Sequence, residues 1–228
     1  MLAQVTSACR GVRTLTAELS LSGRAGGRSM RGRVVAGFER PASMRLEGVA
    51  PFGPPAFILT ARGEAATLLL PRDARLLRGE RADAILGALT GVTLAPADLQ
   101  ALLTGCVTAT PAVAPTPAAA RVHANGWASI DLDGGGRMYL TRQGNAWTIR
   151  AAQRDGWRIE YPAWQGQFPQ RVRLMSDQPG VSVDLTAALS QVEANIDLDA
   201  AAFTVNVPPD AATLTLDDLR AAGPLRGQ

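Results

Sequence analysis

From Thr14 onward the chain alternates. Leu15, Ala17, Leu19 and Leu21 fall on one side of the backbone, and Thr16, Glu18, Ser20 and Ser22 on the other. A period of two with one apolar face predicts a half-buried strand. The same rhythm predicts strands over 31–38, 44–48, 56–61, 65–70 and 74–78, and again over 127–133, 138–142, 146–153, 157–161, 171–175 and 181–192. Short turn sequences separate them: Arg24-Ala-Gly-Gly-Arg28, Arg62-Gly63-Glu64, Asp133-Gly-Gly-Gly136, Gln143-Gly-Asn145 and Asp155-Gly156. Such turns join antiparallel neighbours. Three stretches break the rhythm. Residues 2–13 suit a short helix. Residues 82–89 carry Ile85, Leu86 and Leu89 at helical spacing and end at Gly91. Residues 97–104 carry Leu99, Leu102 and Leu103 after Pro96, which suits a first helical turn. A last helical turn at 217–221 follows Thr215, a residue type that caps helix starts.

The pattern predicts a mainly β fold of the α+β type with a helical lid. A single curved antiparallel sheet of about eleven or twelve strands forms a half-open barrel, closed by the short helices, because a meander this long tends to curl on itself. One domain spans 1–228. Residues 107–121, rich in Ala, Pro and Thr, are expected to be an extended loop or hinge within it.

Composition narrows the function. Hydrophobic residues make up 46% of the 228, enough for a sizeable core, while the longest apolar runs fall far short of the ~20 residues of a spanning helix. All 23 basic residues are Arg, scattered singly, with a net charge of +3. They form no basic block and are not interleaved with aromatics, so nucleic-acid binding has no support. Residues 1–13 show no charged segment followed by an apolar one, so the expectation is either a cytoplasmic protein or a secretory leader already removed.

Candidate chemistry is sparse. His123 is the single histidine, and with two separated cysteines it assembles no usual zinc site, so no metal is expected. Asp131-Leu-Asp133-Gly134 begins like a calcium loop, but Gly135 and Arg142 stand where ligands belong; a Gly-rich hairpin is the better reading. There is no nucleophile elbow, phosphate loop or dinucleotide fingerprint, and no cofactor is expected. Trp127, Trp147, Trp157 and Trp164 lie on or beside successive strands, as core or as cavity wall, which demand the same side chains. The turn Val49-Ala-Pro-Phe-Gly-Pro-Pro55 is the anomaly, since turns sit in water and usually carry polar residues. Phe52 either protrudes from it or folds back on the barrel rim.

The run of helix, strand 15–23, strand 31–38, Glu39-Arg-Pro-Ala-Ser-Met-Arg-Leu46 and Ala50-Pro-Phe-Gly53 resembles the LolA/LolB superfamily, and the helical pair ending in Ala101-Leu-Leu-Thr-Gly105 fits the same plan. These are periplasmic carriers and outer-membrane receptors for bacterial lipoproteins. The Ala/Pro segment after Cys106 departs from that pattern. The resemblance implies a non-enzymatic protein of the periplasm or outer membrane, monomeric, that binds lipid acyl chains or a lipoprotein. Runner-up roles on such a scaffold are an envelope sensor or assembly protein, and a small-molecule enzyme. Cavity and lid candidates are Leu19, Leu21, Val35, Leu46, Ile58, Leu68, Ile85, Leu86, Leu89, Leu99, Leu102, Leu103, Trp147 and Ile149. Phe52 occupies the position of the family's protruding apolar residue, which helps insert cargo into the membrane. Arg40, before Pro41, occupies that of an arginine holding the lid closed. In an oxidising compartment Cys9 and Cys106 would form a disulfide if their Cα atoms lie within about 4.4–6.8 Å; that is preferred over two buried thiols.

Overall fold

The computed structural model describes residues 2–106, 117–132, 135–154, 156–176, 178 and 180–222. The first half opens with a helix, α1 (Leu2–Arg10), and continues through strands β1 (Thr14–Ala25), β2 (Arg28–Glu39), β3 (Ser43–Val49), β4 (Phe57–Arg62), β5 (Ala65–Leu70) and β6 (Arg75–Arg81). Two helices follow, α2 (Ala82–Thr90) and α3 (Pro96–Leu103). The second half holds β7 (Pro117–Val122), β8 (Trp127–Leu132), β9 (Gly136–Gln143), β10 (Ala146–Arg154), β11 (Trp157–Gln165), β12 (Phe168–Ser176) and β13 (Val183–Ala194). It ends in β14 (Ala212–Thr213) and α4 (Leu216–Ala222).

The strands form one open sheet in the order β14-β6-β5-β4-β3-β2-β1-β13-β12-β11-β10-β9-β8-β7. Each half is a meander, and the halves meet where β1 pairs antiparallel with β13, the first long strand against the last. The chain between β6 and β7 therefore links the strand next to one edge of the sheet, outside which only the two-residue β14 lies, to the strand at the other edge. The two strands absent from the sequence pattern are β7 and β14. β7 lies in the expected 107–121 loop, where residues 107–116 fall outside the described residues. Its Ala-rich sequence has no alternation to read, and pairing with β8 holds it in place. β14 is two residues long and pairs parallel with β6. The expected turns at 133–136 and 155–156 also lie partly outside the described residues.

One face of the sheet is apolar throughout. On β1 this face is Leu15, Ala17 and Leu19; on β2 it is Met30, Val34, Ala36 and Phe38; on β3 it is Met44 and Leu46; and all of these are buried. Cross-strand register aligns them: Leu19 sits opposite Val34, and Leu46 opposite Leu59. Burying a large aliphatic or aromatic side chain stabilises by about 1.5–3 kcal/mol, and one core cluster runs from β1 to the helices. The outer face is covered in part by the chain after β13. A short 3-10 helix, Ala200–Phe203, lies against β3 and β4, with Phe203 buried. Arg45 on the outer side of β3 donates to the carbonyls of Ala202 (3.0 Å) and Thr204 (2.7 Å). The strap ends in α4, which packs on α2. Thr215 caps α4 as expected: the Asp218 N–H donates to its hydroxyl, and the Asp218 carboxylate accepts from its N–H.

Two expected inward residues face out. Val35 pairs across to Glu18 and Glu47 and is 44% exposed; its neighbour Val34 takes the inner position. Ile58 pairs with Glu47 and Leu69 on the outer side, under the same part of the sheet that the strap crosses. In both places two β-branched or apolar residues run together, so alternation alone could be placed in either phase, and one-residue slips invert the face.

Phe38→Ala removes a side chain with no exposed surface and is expected to cost about 3–5 kcal/mol. Val35→Thr on the opposite face should stay within about 0.5 kcal/mol. Urea unfolding followed by circular dichroism measures both; equal losses would contradict the facing of β2.

Candidate functional site

The concave face and the helices do not meet everywhere. A cavity of 1490 Å³ lies between them. On its inner side it is lined by Leu19 and Leu21 of β1, Met30 and Val34 of β2, Leu46 of β3, and Val172 and Leu174 of β12, with Leu86 and Leu89 of α2 and Leu99, Leu102 and Leu103 of α3 as its roof. Its boundary also takes in Ser20, Ser22, Arg31, Arg33, Arg171 and Arg173, which belong to the opposite phase of the same strands. The apolar compartment is therefore smaller than the whole void. The inner lining offers little polar chemistry. Thr90, which borders it, spends its hydroxyl on the Leu86 carbonyl at 2.8 Å.

Of the residues singled out in the sequence, Leu19, Leu21, Leu46, Leu86, Leu89, Leu99, Leu102 and Leu103 line this space. Leu68, Ile85 and Ile149 are buried in the surrounding core, and Trp147 packs against it partly buried; none of the four borders the cavity. Val35 and Ile58 lie outside it.

The roof is tied at one end. α3 touches β3 in one half of the sheet and β12 in the other. Cys106, just past α3, is disulfide-bonded to Cys9 of α1, with Cα atoms 5.7 Å apart. Gln100, buried, donates from its side chain to the Arg13 carbonyl (3.2 Å). Tyr161, fully buried on β11, donates its hydroxyl to the Leu102 carbonyl (3.3 Å), and burial pushes its phenol pKa up, so it stays a neutral donor. Gly105 adopts a positive φ of 78°, and a Cβ there would collide with the Trp164 ring. Arg40 joins the same anchor. Its peptide bond to Pro41 is cis. Its guanidinium donates to the carbonyls of Arg10 (2.8 Å) and Cys9 (3.0 Å), the open C-terminal end of α1. Partial burial lowers its pKa from the ordinary value. Arg40 therefore reaches the roof through α1 and the disulfide, not by hydrogen bonds to α2 or α3.

The other end is the mouth. There β3 ends at Val49 and the apolar turn begins. Phe52 stands out from it at 87% exposure, with Pro51 and Pro54 exposed beside it. Arg72, from the turn between β5 and β6, donates to the carbonyls of Phe52 (2.6 Å) and Pro54 (3.3 Å), which fixes the turn's backbone. Sequence reasoning missed Arg72, since one arginine in a polar turn carries no signal. Phe57, following the turn, folds inward instead: its ring occupies the space over Gly48, where a Cβ would sit 2.5 Å from ring carbons. Among the described residues no group of three or more His, Cys, Asp or Glu gathers to hold a metal ion, and no helix is long and apolar enough to cross a membrane.

No protein-family model and no curated protein sequence matches the chain. Solved structures do resemble it in fold. A DUF1329 family protein from Desulfovibrio piger superposes with a TM-score of 0.57 at 11% identity, covering 89% of this chain and 94% of that one. A LolA superfamily protein from Nitrosomonas europaea gives 0.56 at 10% identity, covering 88% and 96%. At these identities the similarity is one of fold: a LolA-like open sheet roofed by helices.

Replacing both Cys9 and Cys106 by Ala releases a closure of 97 residues and is expected to cost about 4–5 kcal/mol by chain entropy. Amide exchange should rise first in α3. A double variant with unchanged urea midpoint and unchanged exchange in α3 would show that the anchor does not depend on this bond.

Proposed function

We propose that the protein binds lipid acyl chains in the cavity beneath α2 and α3, as a non-enzymatic carrier or receptor of lipoproteins in a bacterial envelope. The observation that supports this most is the aliphatic compartment beneath the two helices, lined by Leu19, Leu21, Leu46, Leu86, Leu99 and Leu103; sites for small organic ligands are likewise mostly apolar hollows. Its inner lining is aliphatic, which suits a chain of methylenes and offers a reacting group nothing to work with. Each methylene moved from water into such a lining contributes about 0.8 kcal/mol. One or two acyl chains would then be held firmly with no specific polar contact. The fold shared with a LolA superfamily protein supports the same reading.

In this reading the tied and free ends of the roof have different tasks. The disulfide, Gln100 and Tyr161 hold the α3 end, while cargo enters and leaves at the mouth. Phe52 is the membrane-contacting residue. Held outward by Arg72, it carries its ring into the lipid surface while the cavity mouth stands beside it.

Ala187 faces the cavity from β13. Ala187→Phe is expected to weaken binding of a fluorescent fatty acid at least tenfold with the fold intact by circular dichroism. Unchanged affinity would place the acyl site elsewhere. Phe52→Glu is expected to leave fatty-acid uptake unchanged and to slow delivery to vesicles about tenfold or more in a stopped-flow transfer assay. Delivery at the wild-type rate would remove Phe52 from the mechanism.

A further inference from the structure

Four of the chain's 23 arginines lie together in one hairpin. The β1–β2 hairpin from Arg24 to Arg33 contains four arginines, Arg24, Arg28, Arg31 and Arg33, and no acidic residue. The whole chain has a net charge of +3, so the hairpin's +4 leaves every other residue together at −1. All four are exposed. Arg24 donates to the Gly27 carbonyl within the hairpin (3.2 Å). The side chains of Arg28, Arg31 and Arg33 make no hydrogen bond or ion pair among the described residues. Across the sheet Asp184 sits opposite Arg24 and is taken up by a two-pronged pair with Arg173 at 2.8 Å and 2.8 Å. Glu18 and Glu47 flank Val35, the next position after Arg33 on the same face, and Glu47 is paired with Arg45.

This basic hairpin lies beside the apolar turn. Arg33 is the cross-strand partner of Val49, the last residue of β3 before the turn that carries Phe52. Beyond that pair both segments run on to the same end of the sheet. Arg31 and Arg33 occupy alternate positions on one face, ~7 Å apart at ~3.4 Å per residue, and Arg24 lies on that face of the neighbouring strand. An exposed ring on a turn next to a hairpin with unpaired guanidinium groups is complementary to one kind of surface: an apolar layer beneath a sheet of phosphates. Guanidinium groups bind phosphate oxygens by paired N–H donors, and basic residues strengthen attachment to an anionic leaflet by roughly fivefold each.

We propose that the β1–β2 hairpin is a docking site for the anionic phosphate headgroups of a lipid bilayer, and that it sets the protein on the membrane with the cavity mouth facing the lipid. The contact rests on the lipid-carrier reading for its purpose and not for its chemistry. Headgroup attraction brings the mouth to the surface, and Phe52 then has an apolar layer to enter. The attraction weakens with salt, because the Debye length falls from ~30 Å at 0.01 M to ~8 Å at 0.15 M.

The test is vesicle flotation of the full chain with neutral phosphatidylcholine vesicles and with vesicles containing about a third phosphatidylglycerol. Wild type is expected to prefer the anionic vesicles strongly at low salt and to lose that preference in 0.5 M NaCl. The variant R28Q/R31Q/R33Q should lose roughly 100-fold in binding to anionic vesicles. A control of equal charge, R10Q/R62Q/R121Q, removes three exposed arginines away from the mouth and should lose far less. Equal losses in the two triple variants would reduce the effect to net charge and overturn the site, as would a wild type indifferent to anionic lipid. Fatty-acid uptake measured on the same samples separates the two readings. Uptake with no anionic preference sinks the docking site alone, whereas anionic preference without uptake sinks the acyl cavity and leaves the docking site standing.

Discussion

A sheet built as two meanders and joined through its first and last long strands must carry its middle segment from one side to the other. The β1–β13 pairing imposes this. The connection from β6, next to one edge, to β7 at the other has most of the sheet's width to cross. α2 and α3 lie on that connection. They roof the sheet because the topology leaves them there, and their leucines are the residues that make the position stable. The cavity follows from the same constraint. A curved sheet of this many strands is too wide for two short helices to fill its hollow, so part of the apolar face stays without a partner.

The roof is held unevenly. Near Cys106 a disulfide, a buried glutamine, a buried tyrosine hydroxyl and the packing of Trp164 on Gly105 all converge on the end of α3. Arg40 secures the helix to which the disulfide leads. Toward the mouth the interactions are of another kind: apolar side chains on both sides of a void, and a turn whose backbone is fixed while its aromatic ring is left in water. In the proposed lipid-binding reading, cargo moves most easily where the contacts are few and undirected, and that is the end where the exposed ring and the unpaired arginines stand.

Much of this was legible in the sequence. Alternation placed twelve of the strands, and the change of period located α2 and α3 with their inward leucines. The runs that misled did so for physical reasons. Val34-Val35 and Ile58-Leu59 place two apolar residues side by side, and only the cross-strand register says which one faces in. β7 is drawn from an alanine-rich stretch without any period, and β14 is too short to have one. Trp147 and Ile149 read as cavity wall but belong to the packed core, a distinction that depends on where the helices stop. The arginine hairpin has a sequence signal, four arginines in residues 24–33 against about one in ten along the chain, but nothing in the sequence sets it beside the apolar turn. Folding the hairpin beside the apolar turn is what makes them a surface.

The claim on which the account depends is that the space beneath α2 and α3 holds acyl chains. Native mass spectrometry of the protein purified from the cells that produce it addresses this directly. The account predicts a population heavier than the bare chain by the mass of a lipid or acylated species, which dissociates on mild activation to the protein alone. Bare protein as the single species, both as purified and after incubation with acyl lipids, would contradict it.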